Sequence, residues 1–161
     1  MNASVLFFMA FLSLMPISEL RGAIPYGLAH GLPVIAVYPF CVVLNALIGP
    51  ILYLFLSSLH VLLYRWTFYR RIFDGVIHRA REKVQQKVDK YGYLGIMLFV
   101  AVPLPITGAY TGTLGAWILG LNVRKTCIAV FMGVIISGII VTLVSYFGIG
   151  ALSVFVKGAA E

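Results

Sequence analysis

The chain has 161 residues, 61% of them hydrophobic and only 11% charged, with a mean hydropathy of +1.02. Soluble domains carry about 25% charged residues, so an ordinary soluble enzyme or binding domain is excluded and an integral membrane protein is expected. The formal net charge is +7, but ten of the twelve Lys and Arg fall between Arg65 and Lys125. That surplus reads as a cytoplasmic loop, and no aromatic-and-basic pattern points to nucleic acid.

The N-terminal Met1-Asn-Ala-Ser4 carries no Lys or Arg and no small-x-small cleavage site follows, so the first apolar run is kept as part of the mature fold. Residues Val5 to Ile17 are apolar apart from Ser13. As a helix, Ala3–Ser18 would reach ~24 Å against a hydrocarbon core of ~30 Å. Pro16 interrupts it, and then Glu19 and Arg21 follow, the only formal charges between Ala3 and Tyr64. Charge at membrane depth is costly and usually marks a substrate or ion pathway. The segment Pro16-Ile-Ser-Glu-Leu-Arg-Gly-Ala-Ile-Pro25 is too broken for an ordinary span, and Gly22 to Leu32 covers only ~16 Å as a helix. Together these pieces predict a re-entrant hairpin that returns to its own face.

Pro33 to Leu63 is long enough to span, with a kink expected at Pro50. Asn45 within it needs a partner inside the bundle. From Tyr64 to Tyr91, apolar residues recur at helical spacing, while Arg79, Arg81, Lys83 and Lys87 lie with other basic residues on the opposite face. This predicts an amphipathic helix at the membrane surface, able to hold anionic lipid headgroups. Gly92 to Val123 has no formal charge and breaks at Pro103-Leu-Pro105, which predicts a second re-entrant hairpin. Arg124 and Lys125 follow, and Thr126 to Val156 is a second span.

The halves share an order: broken hairpin, then span. Arg21-Gly-Ala23 aligns with Thr107-Gly-Ala109 at an offset of 86, while Gly31-Leu32 aligns with Gly120-Leu121, and Gly49 with Gly138, at 89. The expected fold is therefore an all-α integral membrane protein, one membrane domain over residues 1–161. It has two inverted repeats (3–63 and 92–156), each a re-entrant helical hairpin plus a transmembrane helix, joined by the basic amphipathic helix 64–91. With the basic loop 65–90 in the cytoplasm, both termini lie outside and the hairpins enter from opposite faces.

Returning half-helices start at the hairpin tips with free N–H groups and positive dipole ends. Ser18 or Glu19 could cap the first and Thr107 the second. Two such N-termini suit an anion such as phosphate, with Arg21 pairing through its planar fork and Glu19 carrying a proton. Gly22 and Gly108 would allow close backbone approach, and Pro25, Asn45, Pro103, Pro105 and Thr111 complete the candidate binding set. Glu19 and Arg21 have a plainer reading as a structural ion pair. Cys41 and Cys127 have no Cys or His at ligand spacing, and His30, His60 and His78 are scattered, so neither metal nor cofactor is expected. No nucleophile–base spacing appears, and an enzyme is not expected.

The strings Glu19-Leu-Arg-Gly-Ala-Ile-Pro-Tyr-Gly27, Lys90-Tyr-Gly-Tyr-Leu-Gly95 and Pro103-Leu-Pro-Ile-Thr-Gly-Ala-Tyr-Thr-Gly112, with Ala116-Trp117, resemble the small multi-drug export protein family. That family looks like a compact branch of the DedA/VTT superfamily. The resemblance implies paired re-entrant hairpins in a prokaryotic cytoplasmic membrane. In some superfamily members it implies lipid scrambling or undecaprenyl phosphate recycling, and the family name implies drug efflux. DedA proteins place arginines around the proline of the second hairpin, where this chain has apolar residues or Thr107 and Thr111. Three functions are carried forward. The first is a transporter that flips a phosphate-bearing lipid, anionic or polyprenyl-phosphate, or a related amphiphile. The second is a drug exporter using Glu19, and the third a non-transporting scaffold. Small interface residues suit a homodimer without fixing one.

Overall fold

The computed structural model describes residues 3–66, 92–104 and 107–158, with side chains through residue 148. Its helices are α1 (Ala3–Leu14), α2 (Glu19–Ala29), α3 (Val34–Ala46) and α4 (Ile48–Leu63), then α5 (Gly92–Ala101), α6 (Ala109–Ile118) and α7 (Val123–Gly158). No strand occurs among the described residues. The predicted basic amphipathic helix, with Arg79, Arg81, Lys83 and Lys87, lies outside them, as does Pro105.

Two stretches, Val34–Leu63 and Val123–Gly148, are long and apolar enough to cross a membrane. The four short helices are not: α1, the longest of them at 12 residues, reaches only ~18 Å. Large apolar side chains cover the outside, Ile35 at 84% and Phe7 at 75% exposure among them. Water would penalise such a surface, while lipid covers it without cost.

Contacts fix the helix directions. Leu12 approaches Gly22, and Met9 approaches Gly27, so α1 and α2 form an antiparallel hairpin. Val100 approaches Gly112, whereas Tyr93 packs near Ala116 and Leu121, so α5 and α6 form another. Each hairpin's second helix then crosses to the other half's long helix. Leu20 of α2 meets Gly138 of α7, and Thr113 of α6 meets Gly49 of α4. The core lies at these crossings, with Met9, Ile24, Val37, Val100, Val130 and Val134 all at 1% exposure or less.

Local chemistry explains where the helices stop. The first break is narrower than the sequence suggested. Pro16 disfavours helical backbone at Met15, α1 ends at Leu14, and α2 already begins at Glu19. Arg21, Gly22 and Pro25 therefore lie inside α2 rather than in the break, and Pro25 leaves the Arg21 carbonyl without its helical donor. Both hairpins close identically. Gly31 (φ 77°) and Gly120 (φ 69°) adopt the left-handed conformation. Leu32 N–H donates to Gly27 O and Gly31 N–H to Leu28 O; likewise Leu121 donates to Ala116 and Gly120 to Trp117. These are paired Schellman caps at the positions aligned by an offset of 89. The long first span is interrupted at Leu47, where the ring of Pro50 presses on the turn before it. The last helix starts at Val123, ahead of the expected Thr126, because Asn122 Oδ1 accepts from the N–H groups of Arg124 (3.0 Å) and Lys125 (3.4 Å) as an N-cap.

Without a hydrophobic drive between helices in lipid, close packing holds the bundle. A Cβ at Gly133 would stand 2.7 Å from the Met97 carbonyl oxygen, so α5 and α7 approach backbone to backbone. Gly133→Ala is expected to cost ~1–3 kcal/mol by overpacking. Gly95→Ala, with nothing within 4 Å, should be neutral or stabilise by ~0.5–1 kcal/mol. Thermal melting of the purified variants in detergent checks both.

Candidate functional site

The two hairpin tips meet. Glu19 opens α2 with a positive φ of 47°, a conformation that costs a residue other than glycine on the order of 1 kcal/mol or more. This geometry turns the side chain across to the other half. Its carboxylate reaches the start of α6, where Oε1 accepts from the backbone N–H of Tyr110 at 3.4 Å. Gly108 makes the approach possible, because a Cβ there would occupy the space of the Glu19 carboxyl group. Glu19 is only 6% exposed.

An anion at a helix N-terminus is stabilised by the dipole and the unpaired N–H groups, by ~0.3–1 kcal/mol and up to ~2 when partly buried. The buried carboxylate thus finds its partner in the backbone of the opposite hairpin. Arg21, two residues on, is half-buried and no ion pair within 4.0 Å is formed among the described residues. The separation of the two groups leaves the guanidinium without a bonded acceptor among them.

The same joint carries two more bonds. Tyr110 Oη donates to the Leu14 carbonyl at 2.6 Å, and Asn45 Nδ2 donates to the Ser13 carbonyl at 3.0 Å. Both satisfy the end of α1, whose last carbonyls have no helical donors. Asn45, 1% exposed, thereby finds the partner that its place in a span demands.

The caps differ from the sequence expectation. Ser18 makes no side-chain capping bond. Thr107 does not cap α6 but turns back: its hydroxyl donates to the Val102 carbonyl at 2.5 Å and accepts from Leu104 N–H at 3.1 Å, pinning the turn at Pro103. The α6 start is answered by Glu19 and by Thr111, whose Oγ1 accepts from Gly108 N–H at 3.2 Å. Glu19, Asn45, Thr107, Gly108 and Thr111 therefore gather around the tips, while Arg21, Gly22 and Pro25 run along α2. Tyr110 was missed as a site residue, although it stands in the second Pro/Gly string. The signal was its place directly after Gly108-Ala109, where α6 begins.

Elsewhere, an open groove of about 370 Å³ runs between α3 and α7, lined by Val34, Ile35, Tyr38, Pro39, Ile139, Thr142 and Leu143. It carries no charge. Among the described residues no His, Cys, Asp or Glu cluster is placed to hold a metal.

The joint predicts a non-additive mutant pair. Gly108→Ala drives the carboxylate off α6 and should cost ~1–3 kcal/mol. The same substitution in a Glu19→Ala background should cost at least ~1 kcal/mol less, as expected of coupled neighbours. Tyr110→Phe should cost ~0.5–1.5 kcal/mol for its lost hydrogen bond. Chemical or thermal unfolding of the four proteins measures these differences.

Comparison with known proteins gives one clear relation. No curated protein and no solved structure matches the chain. The profile of the small multi-drug export protein family matches residues 19–140, from the buried glutamate through both hairpin tips and into the last long helix. The match spans most of the chain, and the protein belongs to the small multi-drug export protein family.

Proposed function

We propose that this protein is a membrane transporter that moves a phosphate-bearing lipid or a related amphiphile across the bilayer by a DedA-like route. The observation that carries the reading is the joint itself: a buried carboxylate and a half-buried guanidinium, two residues apart, where two antiparallel hairpins meet tip to tip. Charge in such a place is costly and is usually kept for function.

In this reading the hairpins are re-entrant and approach from opposite faces as an inverted repeat around the central site. The matching Schellman caps and the recurring order of short, short and long helices support it. Arg21 is the group for the headgroup, because its planar fork suits phosphate and Glu19 already occupies the α6 N-terminus. Glu19 is the gate or proton-coupling group. The apolar groove between α3 and α7 offers a place for the chain of an amphiphile. Arg79, Arg81, Lys83 and Lys87 would hold anionic headgroups at the cytoplasmic surface, and both termini would lie outside.

The family description favours a second reading, export of a small molecule. There Glu19 binds a cationic cargo and releases it on protonation. In a non-transporting scaffold, by contrast, substitutions at the tips would harm only folding.

Proteoliposome transport separates these readings. Arg21→Lys keeps the charge but loses the bidentate geometry, so it should impair movement of a phosphate-headgroup lipid by at least ~10-fold with insertion unchanged. A cationic-drug exporter would retain drug movement in Arg21→Lys and lose it in Glu19→Gln. For a coupling Glu19, Glu19→Gln should also abolish the pH dependence of transport. Full transport by the double variant Glu19→Gln, Arg21→Met would remove this pair from the working site.

At the surface, replacing Arg79, Arg81, Lys83 and Lys87 with Gln should weaken binding to anionic vesicles by ~1 kcal/mol per charge. Vesicle co-sedimentation at low salt measures it, and unchanged binding would leave these residues with a topological role only.

A further inference from the structure

Three fully buried side-chain oxygens lie around the tips: Ser13 Oγ, which meets the weakly bonding thiol of Cys41, and Asn45 Oδ1 and Thr113 Oγ1, which have no hydrogen-bond partner. Their residues are 0%, 1% and 0% exposed. Sequence places them far apart, but packing brings their helices together. Asn45 Nδ2 bonds the Ser13 backbone at 3.0 Å, which sets these two residues side by side. Thr113 comes from α6, and a Cβ on Gly49 would stand 3.8 Å from its Oγ1. Asn45 ends α3 and Gly49 opens α4 just across the break at Leu47, and both are buried.

Buried polar atoms are almost always bonded, and where protein supplies no partner an ordered water does. The available groups are an amide carbonyl, which only accepts, and two hydroxyls, which donate and accept. Water matches that mixture. A divalent transition-metal ion does not, since no carboxylate, imidazole or thiolate belongs to the set and no His, Cys, Asp or Glu cluster exists among the described residues.

We propose that Ser13, Asn45 and Thr113 hold ordered water inside the bundle, directly behind the joint of the hairpin tips. The site is one residue from the Leu14 carbonyl that receives Tyr110, and Tyr110 N–H in turn meets Glu19. Internal water there gives Glu19 a hydrated neighbourhood reached through protein rather than through lipid. Only that consequence rests on the transporter reading; the water itself does not.

The test needs no cargo. Ser13→Ala and Thr113→Val keep the shape and remove the hydroxyl. In a dry core Thr113→Val deletes an unsatisfied group and raises Tm. In a hydrated one each robs the water of a partner, and Tm falls by ~2–4 °C. A second measurement is X-ray radiolytic footprinting of the wild-type protein in lipid nanodiscs, where water trapped beside a side chain produces local oxidation. Met9, one turn before Ser13 and 1% exposed, and Cys41, one turn before Asn45 and 0% exposed, are native reporters. Oxidation of both despite their burial, reduced in Asn45→Leu, is the expected result. A rise in Tm for Thr113→Val, or silent Met9 and Cys41 in the wild type, overturns the proposal. Because wild-type footprinting stands alone, the proposal can fail even if a variant does not fold. It can also succeed while proteoliposome transport of every cargo fails.

Discussion

A buried carboxylate must be answered, and here it is answered from the far half of the chain. Glu19, only 6% exposed, cannot be left alone, because a buried charge without a partner is costly. The start of α6 supplies N–H groups and a dipole end of the right sign. That requirement fixes the two hairpins tip against tip. It demands glycine at 108, and it is the occasion for the left-handed backbone at Glu19. The bonds from Tyr110 to Leu14 and from Asn45 to Ser13 then finish the end of α1 within the same joint. The rest of the packing is arranged around a point that is polar by necessity.

The crossing of helices between halves follows. With the hairpins held tip to tip, each second helix rests on the opposite long helix. Glycine at 49 and 138 keeps those crossings close. In lipid, where burying apolar surface gains nothing against the solvent, contact density decides which helices stay together. The bundle therefore depends on small residues at crossings and on a few satisfied polar bonds.

Much of this architecture could be read from local chemistry. Pro16, Pro50 and the Gly-Leu pairs at 31–32 and 120–121 act on their own turns, so their effects follow from spacing. The need of Asn45 for a partner was equally plain, though not its identity. The apolar pattern resumes only at Gly22, yet α2 already begins at Glu19, the position expected to cap it, because the charges at 19 and 21 break the pattern without breaking the helix. Thr107 looked like an N-cap by position and residue type, but the turn at Pro103 had a stronger claim on its hydroxyl. The pairing of Glu19 with α6 was hidden for a simpler reason. It joins residues 91 apart, and no local pattern encodes which distant backbone will receive a carboxylate.

That separation has a consequence for biogenesis. The chain enters the membrane from its N-terminus, so the first hairpin and first long helix are made before Tyr110 exists. At ~5–20 residues per second of synthesis, Glu19 waits ~5–20 s for the backbone that will receive it. During that interval the first half holds an acid whose partner in α6 has not been made. Insertion of the second hairpin is then the step that locks the first in place. A chain ending before residue 108 would carry Glu19 with none of the backbone that receives it.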